Sequence, residues 1–237
     1  MDARSRDLST VRAWDLPTRV FHWSLVVLMA AGWASAEFAE QLGDVTLKAH
    51  RWTGYAILVL LVWRLIWGFT GSPTSRFSSF VVGPGAVLRY GLDLLRGRSR
   101  YFLGHNPLGA LMVLALIGIV LTQTVLGLFT VEHNDLANGP LANLVDERLW
   151  KPIRLWHHWI FNRLILPLAA LHILANILYG VVKKDPLIPA MITGRKPAAD
   201  YEDDREPVGN PNGRALGCLA VAAALVFGPI WMLGGTL

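Results

Sequence analysis

Five apolar stretches, each about the length of one membrane crossing, constrain this chain more than any other feature. They run approximately Val20–Ala36, His50–Phe69, Pro107–Phe129, Trp156–Val182 and Ala215–Leu237. A hydrocarbon core about 30 Å thick is crossed by about 20 apolar residues of helix. The pattern predicts an all-α protein, a bundle of membrane-spanning helices. Composition agrees: only 16% of the 237 residues are charged, where a soluble domain carries about 25%. The N-terminal residues are polar and too long a prelude for a cleaved signal, so the first span is expected to be retained.

The net charge of +5 does not point to nucleic acid, because the basic residues sit in short stretches between apolar runs. Arginines crowd the N-terminal arm and the segment after the second span, and lysines and arginines follow the fourth. The other two loops mix acids and bases. This bias predicts a cytoplasmic N-terminus, and an outer C-terminus if all five segments cross. Between the second and third spans, GPGAVLRYGLDLLRGRSR carries apolar residues at helical spacing and reads as an amphipathic helix on the inner surface. Residues 1–196 are expected to form the main bundle, 197–214 an acidic linker, and 215–237 an additional span. Cys218 is the only cysteine, which excludes an internal disulfide, a thiolate zinc site and an iron–sulfur cluster held by this chain alone.

Histidines carry the chemistry. Seven occur, and an ionisable group inside a bilayer calls for a partner. Taken singly, His22, His50 or His158 reads equally well as an interfacial side chain; His172 lies well inside the fourth run. Fourteen residues separate His158 from His172. In an α-helix that is a rise of about 21 Å and an angular offset of about 40°. One helix would thus present two imidazoles on one face, one towards each side of the membrane. His22 then pairs with His172 at the inner level, and His50 with His158 at the outer level. Two matched pairs suit bis-histidine ligation of two haem irons, which favours electron transfer over oxygen binding. The lack of a C-x-x-C-H motif makes both haems non-covalent. His157 lies fifteen residues before His172, about 60° off, and remains the alternative to His158. His133 reads as a solvated loop residue. A zinc site is the weaker reading, since each level offers two histidines and no further ligand.

Supporting residues follow the same geometry. Arg64, fourteen residues beyond His50, reads as the partner of a haem propionate or as a side chain snorkelling to the interface. Arg19 reads as an interfacial anchor, with a propionate as its second choice. His105 and Asn106 precede Pro107 and could cap the third span.

The stretches VRAWDLPTRVFHW, KAHRWTGYAILVLLVWRLIWGFTGSPTSRF, GHNPLGALMVLAL, HHWIFNRLILPLAALHI and MITGRK occur in order across residues 11–196. Together they resemble the prokaryotic cytochrome b561 and nickel–iron hydrogenase cytochrome b family, to which formate dehydrogenase membrane subunits are related. The resemblance implies a four-helix core holding two b haems, to which the last segment adds a fifth helix. By motif position it implies His22, His50, His158 and His172 as ligands. It further implies a propionate or quinone contact at His105 and a redox partner such as a periplasmic cytochrome c or a hydrogenase or dehydrogenase subunit. The setting it implies is the bacterial inner membrane, with electrons passing between that partner and the quinone pool. A histidine-containing transporter or metal-transport protein is the competing class. No inverted repeat of the kind many transporters show is present.

Overall fold

The computed structural model describes residues 10–43, 45–98, 100–131, 138–203, 209 and 211–235. In chain order its principal helices are α1 (Leu16–Glu37), α2 (Val45–Thr70), α3 (Pro84–Leu95), α4 (Pro107–Gly127), α5 (Glu147–Lys183), α6 (Leu187–Thr193) and α7 (Asn212–Met232). Among the described residues, all of these except α3 and α6 are long and apolar enough to cross a membrane. The protein is therefore all-α in its mass, with the five spans expected. The amphipathic segment forms α3, opened by Pro84 at its first position, where a missing N–H costs nothing.

Four spans begin earlier than their apolar runs, α2 and α5 by the widest margins. α2 starts at Val45, so His50 lies more than a turn inside it. α5 starts at Glu147, where the Asp146 carboxylate accepts from the Arg148 amide at 2.9 Å. Hydrogen bonds from the Arg148 side chain and backbone hold the Asp146 carboxyl below its ordinary pKa. Hydropathy marks only the lipid-facing part of such a helix; the cap sets its start.

The chain divides into two compact units. The first comprises Met1–Arg19, Trp67–Val113 and His172–Asn212. Here β1 (Thr10–Arg12) pairs antiparallel with β2 (Arg195–Pro197), with Val11 opposite Lys196. This short ladder was not anticipated from sequence. Ala13, Trp14, Leu103 and Ala190 form a buried cluster beside it. Asp15 caps α1, accepting from the Thr18 amide at 2.6 Å, and it also accepts from the hydroxyls of Ser72 and Ser75. A buried ion pair joins Lys196 Nζ to Asp185 Oδ1 at 2.9 Å, and the same ammonium donates to the Phe102 carbonyl at 2.9 Å. The Asp203 carboxylate accepts from the amides of Leu103 and Gly104. The segment leading into α4 is thus held from both flanks of its backbone.

The second unit comprises Val20–Ile66, Leu114–Leu171 and Gly213–Leu237. Ile57, Leu61, Val120, Ile160 and Ile165 make one buried cluster. A second joins Tyr55 and Leu58 of α2 to Val226 and Ile230 of α7, where Trp63 Nε1 also donates to the Ala215 carbonyl at 3.0 Å. The last helix is therefore packed directly on α2. Large apolar side chains such as Val27, Leu171 and Leu225 lie outward and exposed, as lipid-facing residues would.

Candidate functional site

His50 and His157 lie together in the second unit, their ring centres 6.4 Å apart and their planes at 83°. Each ring is fixed through Nδ1. His50 Nδ1 lies 2.8 Å from the Gly32 carbonyl oxygen on α1, and His157 Nδ1 lies 3.1 Å from the Gln123 carbonyl oxygen on α4. An Nδ1–H donated to a carbonyl sets the tautomer that leaves Nε2 as the ligating nitrogen. Glycines make the approach possible. A Cβ built on Gly127 would stand 3.2 Å from His157 Cε1, and one on Gly32 would stand 3.2 Å from Thr53 Oγ1.

His158, the sequence-derived partner of His50, is exposed, while His157 is half-buried. The physical reason lies four residues on. Between Phe161 and Ile165 the helix widens into a π turn, in which the Leu166 amide bonds to the Phe161 carbonyl five residues back. The turn directly precedes Pro167, whose ring would crowd the carbonyl four residues back and which has no N–H to offer it. A π turn absorbs about one residue. The sequence preference for His158 over His157 assumes a uniform α-helix, and with a π turn in this segment it no longer follows from residue count. Asn162 Nδ2 donates to the His158 carbonyl at 2.9 Å, serving an acceptor at the edge of the turn.

The other sequence-derived residues lie as follows. His22 belongs to the second unit and is half-buried. His172 belongs to the first, half-buried, with its carbonyl accepting from Asn176 Nδ2 at 2.7 Å. Arg64 is only 3% exposed, a position that does not suit snorkelling to water. Arg19 donates from Nη1 to the Ile192 carbonyl, beside Gly194, whose φ of +82° closes α6. It acts as the anchor of that turn. His105 is packed between Trp14 and Phe80, with ring centres 4.8 and 4.5 Å away. Asn106 does cap α4: its Oδ1 accepts from the Gly109 amide at 2.9 Å. His133 lies outside the described residues.

The His50–His157 arrangement fits a metal bound between two imidazoles. Two nitrogen–metal bonds of about 2 Å set ring centres about 6 Å apart. Among the described residues, no three His, Cys, Asp or Glu side chains gather to hold a bare ion. A pair of imidazoles alone matches a metal whose other positions are filled by a macrocycle, as in haem. Sequence reasoning missed the anchoring carbonyls of Gly32 and Gln123, because a backbone acceptor carries no residue signature. It also missed the role of Gly127, one turn from Gln123, although a glycine inside a span is a visible signal of close approach.

Comparison with known proteins gives the same direction. The sequence model of the prokaryotic cytochrome b561 family matches residues 13–194. The "Probable Ni/Fe-hydrogenase 1 B-type cytochrome subunit" of Escherichia coli K12 is 24% identical over 228 residues, covering 82% of this chain and 94% of the relative. A "Probable Ni/Fe-hydrogenase B-type cytochrome subunit" of Rhodobacter capsulatus is 22% identical over 239 residues, covering 86% and 89%. The protein of the same name from Bradyrhizobium diazoefficiens is 24% identical over 229 residues, covering 81% and 87%.

Proposed function

The chain belongs to the prokaryotic cytochrome b561 family, and from that premise we propose that it carries two haems b and passes electrons between an outer redox partner and the membrane quinone pool. As a family member it is a multi-pass membrane b-type cytochrome. The observation that carries the finer reading is the pair His50 and His157, each tied by Nδ1 to a carbonyl with ring centres 6.4 Å apart.

In this reading His50 and His157 ligate one haem iron, and His22 and His172 ligate the other. A bound haem b supplies reversible one-electron exchange at its iron. The residues supply the rest. The two carbonyl anchors hold the imidazoles as neutral nitrogen donors. The guanidinium of Arg64 neutralises a propionate in a buried setting where an isolated anion is costly. The packed His105 and the capped Asn106 form the edge of a quinone site on the inner side. The relatives' names support a nickel–iron hydrogenase as the redox partner. The arginine distribution supports the bacterial inner membrane with the N-terminus in the cytoplasm.

The test is haem-to-protein stoichiometry with redox titration of single variants under haem-sufficient expression. His50→Ala and His157→Ala should each remove or alter the same haem, and His22→Ala and His172→Ala the other. His158→Ala should leave both in place. Loss of a haem in His158→Ala while His157→Ala keeps both would return the ligand role to His158. One haem per wild-type chain would refute the two-pair reading.

A further inference from the structure

The inner half of α5 carries a polar seam that haem ligation uses only at His172. His172, Asn176 and Tyr179 recur at i, i+4 and i+7, one face of a helix whose neighbours are Leu, Ile and Ala. Lys183 ends the same helix. All four belong to the first unit, as do the groups that meet them. Tyr179 Oη lies 3.1 Å from Tyr90 Oη of α3, and Lys183 Nζ donates to Tyr90 Oη at 3.3 Å. The Asn106 side chain at the start of α4 lies close to the Tyr179 hydroxyl. Lys183 is half-buried and donates to the Arg100 carbonyl at 2.6 Å, and its ammonium lies 4.7 Å from the Tyr101 ring centre and 5.3 Å from that of Tyr179. Tyr90 is 7% exposed.

Two phenols and an ammonium in hydrogen-bonded sequence, in a segment where polar groups are costly, do more than fill space. A structural pin would need only the ring and the charge. This chain of hydroxyls leads from a cation at the surface to the amide edge of the site assigned above to quinone.

We propose that Lys183, Tyr90 and Tyr179 form a proton relay from the inner aqueous phase to that quinone site. The inference rests on the quinone reading given above. Reducing a quinone to a quinol takes two electrons, which arrive through the cytochrome from its redox partner, and two protons from the inner water. Each quinone carbonyl oxygen gains one O–H bond. At each step Tyr179 gives its hydroxyl proton to the quinone oxygen and regains one from Tyr90. Tyr90 is restored by Lys183, and Lys183 by water. Asn106 orients the last hydroxyl. Asp185 and Lys196 are the charges acting on Lys183, one attracting and one repelling. An open apolar groove lined by Gly180, Val181, Leu187 and Ile188 adjoins Asn176 of the seam.

The experiment uses the full chain in detergent or proteoliposomes, pre-reduced, with haem oxidation followed in a stopped-flow spectrometer. Decylubiquinone and menadione serve as proton-requiring oxidants, and ferricyanide as a one-electron oxidant needing none. Tyr179→Phe and Tyr90→Phe keep the rings and remove the hydroxyls. Each should slow oxidation by the quinones on the order of a hundredfold and raise the solvent isotope effect. Ferricyanide oxidation and haem spectra should stay as in wild type. Lys183→Met should slow the quinone reaction alone, and Lys183→Arg, whose guanidinium does not release its proton, should not restore it. Equal slowing with ferricyanide would mean a structural role and overturn the relay. So would quinone rates within about twofold of wild type in the Tyr90→Phe/Tyr179→Phe double variant. If wild-type haem exchanges electrons with neither quinone, the quinone reading itself falls, and the relay with it. Should Tyr179→Phe lose haem, Tyr90→Phe and Lys183→Met, both outside the spans' cores, decide the question.

Discussion

Replacing Lys196 by Met strips the cation from a buried ion pair and leaves the shape almost intact. The Lys196 and Asp185 side chains are 0% and 5% exposed, and the pair is 2.9 Å apart. Removing one partner of such a pair leaves an uncompensated buried charge, at a cost of about 3–5 kcal/mol. The Phe102 carbonyl also loses its donor, worth about 1–3 kcal/mol when left unsatisfied. Lys183 still acts favourably on Asp185, which moves the expected total towards the low end, about 4–5 kcal/mol. In Lys196→Met/Asp185→Leu the stranded carboxylate is gone, and only the carbonyl term of about 1–3 kcal/mol remains. Equilibrium unfolding by SDS titration in mild micelles measures both, provided the transition is reversible. A single variant that loses under about 1 kcal/mol, or a double variant as unstable as the single, would refute the reasoning.

Gly127→Ala should press a methyl towards His157 Cε1, which a Cβ would meet at 3.2 Å. The ring must tilt off the Gln123 carbonyl, weakening metal affinity by about 10–100-fold and shifting one haem potential while the other stays; redox titration resolves the two. Periplasmic and cytoplasmic reporter fusions between α1 and α2 should report the outer side, and a cytoplasmic signal there would overturn the assigned orientation.

What the residues alone revealed depended on how local the physics was. The spans were legible because about 20 apolar residues have one main explanation in a chain of this composition. α3 was legible because Val87, Leu88, Leu92 and Leu95 recur at helical spacing. His172 stood out as an embedded ionisable group. The ladder between Thr10–Arg12 and Arg195–Pro197 was not legible: three-residue strands far apart in sequence carry no periodic signal. Nor was the packing of His157 against His50, or the π turn that follows it. The buried pairing of Lys196 with Asp185 was not legible either, since burial is a property of their neighbours and not of their types.

The widened turn at Phe161–Ile165 makes distance in sequence and distance along the helix two different quantities. An extra residue there is taken up within a single loop of backbone, and the helix on either side keeps its heading. A chain one residue shorter across 161–165, with an ordinary turn in its place, would still aim the imidazole of His157 at His50. The count from His157 to His172 would then fall from fifteen to fourteen. Alignment by residue count alone would give these two chains different ligands, although their imidazoles occupy the same place.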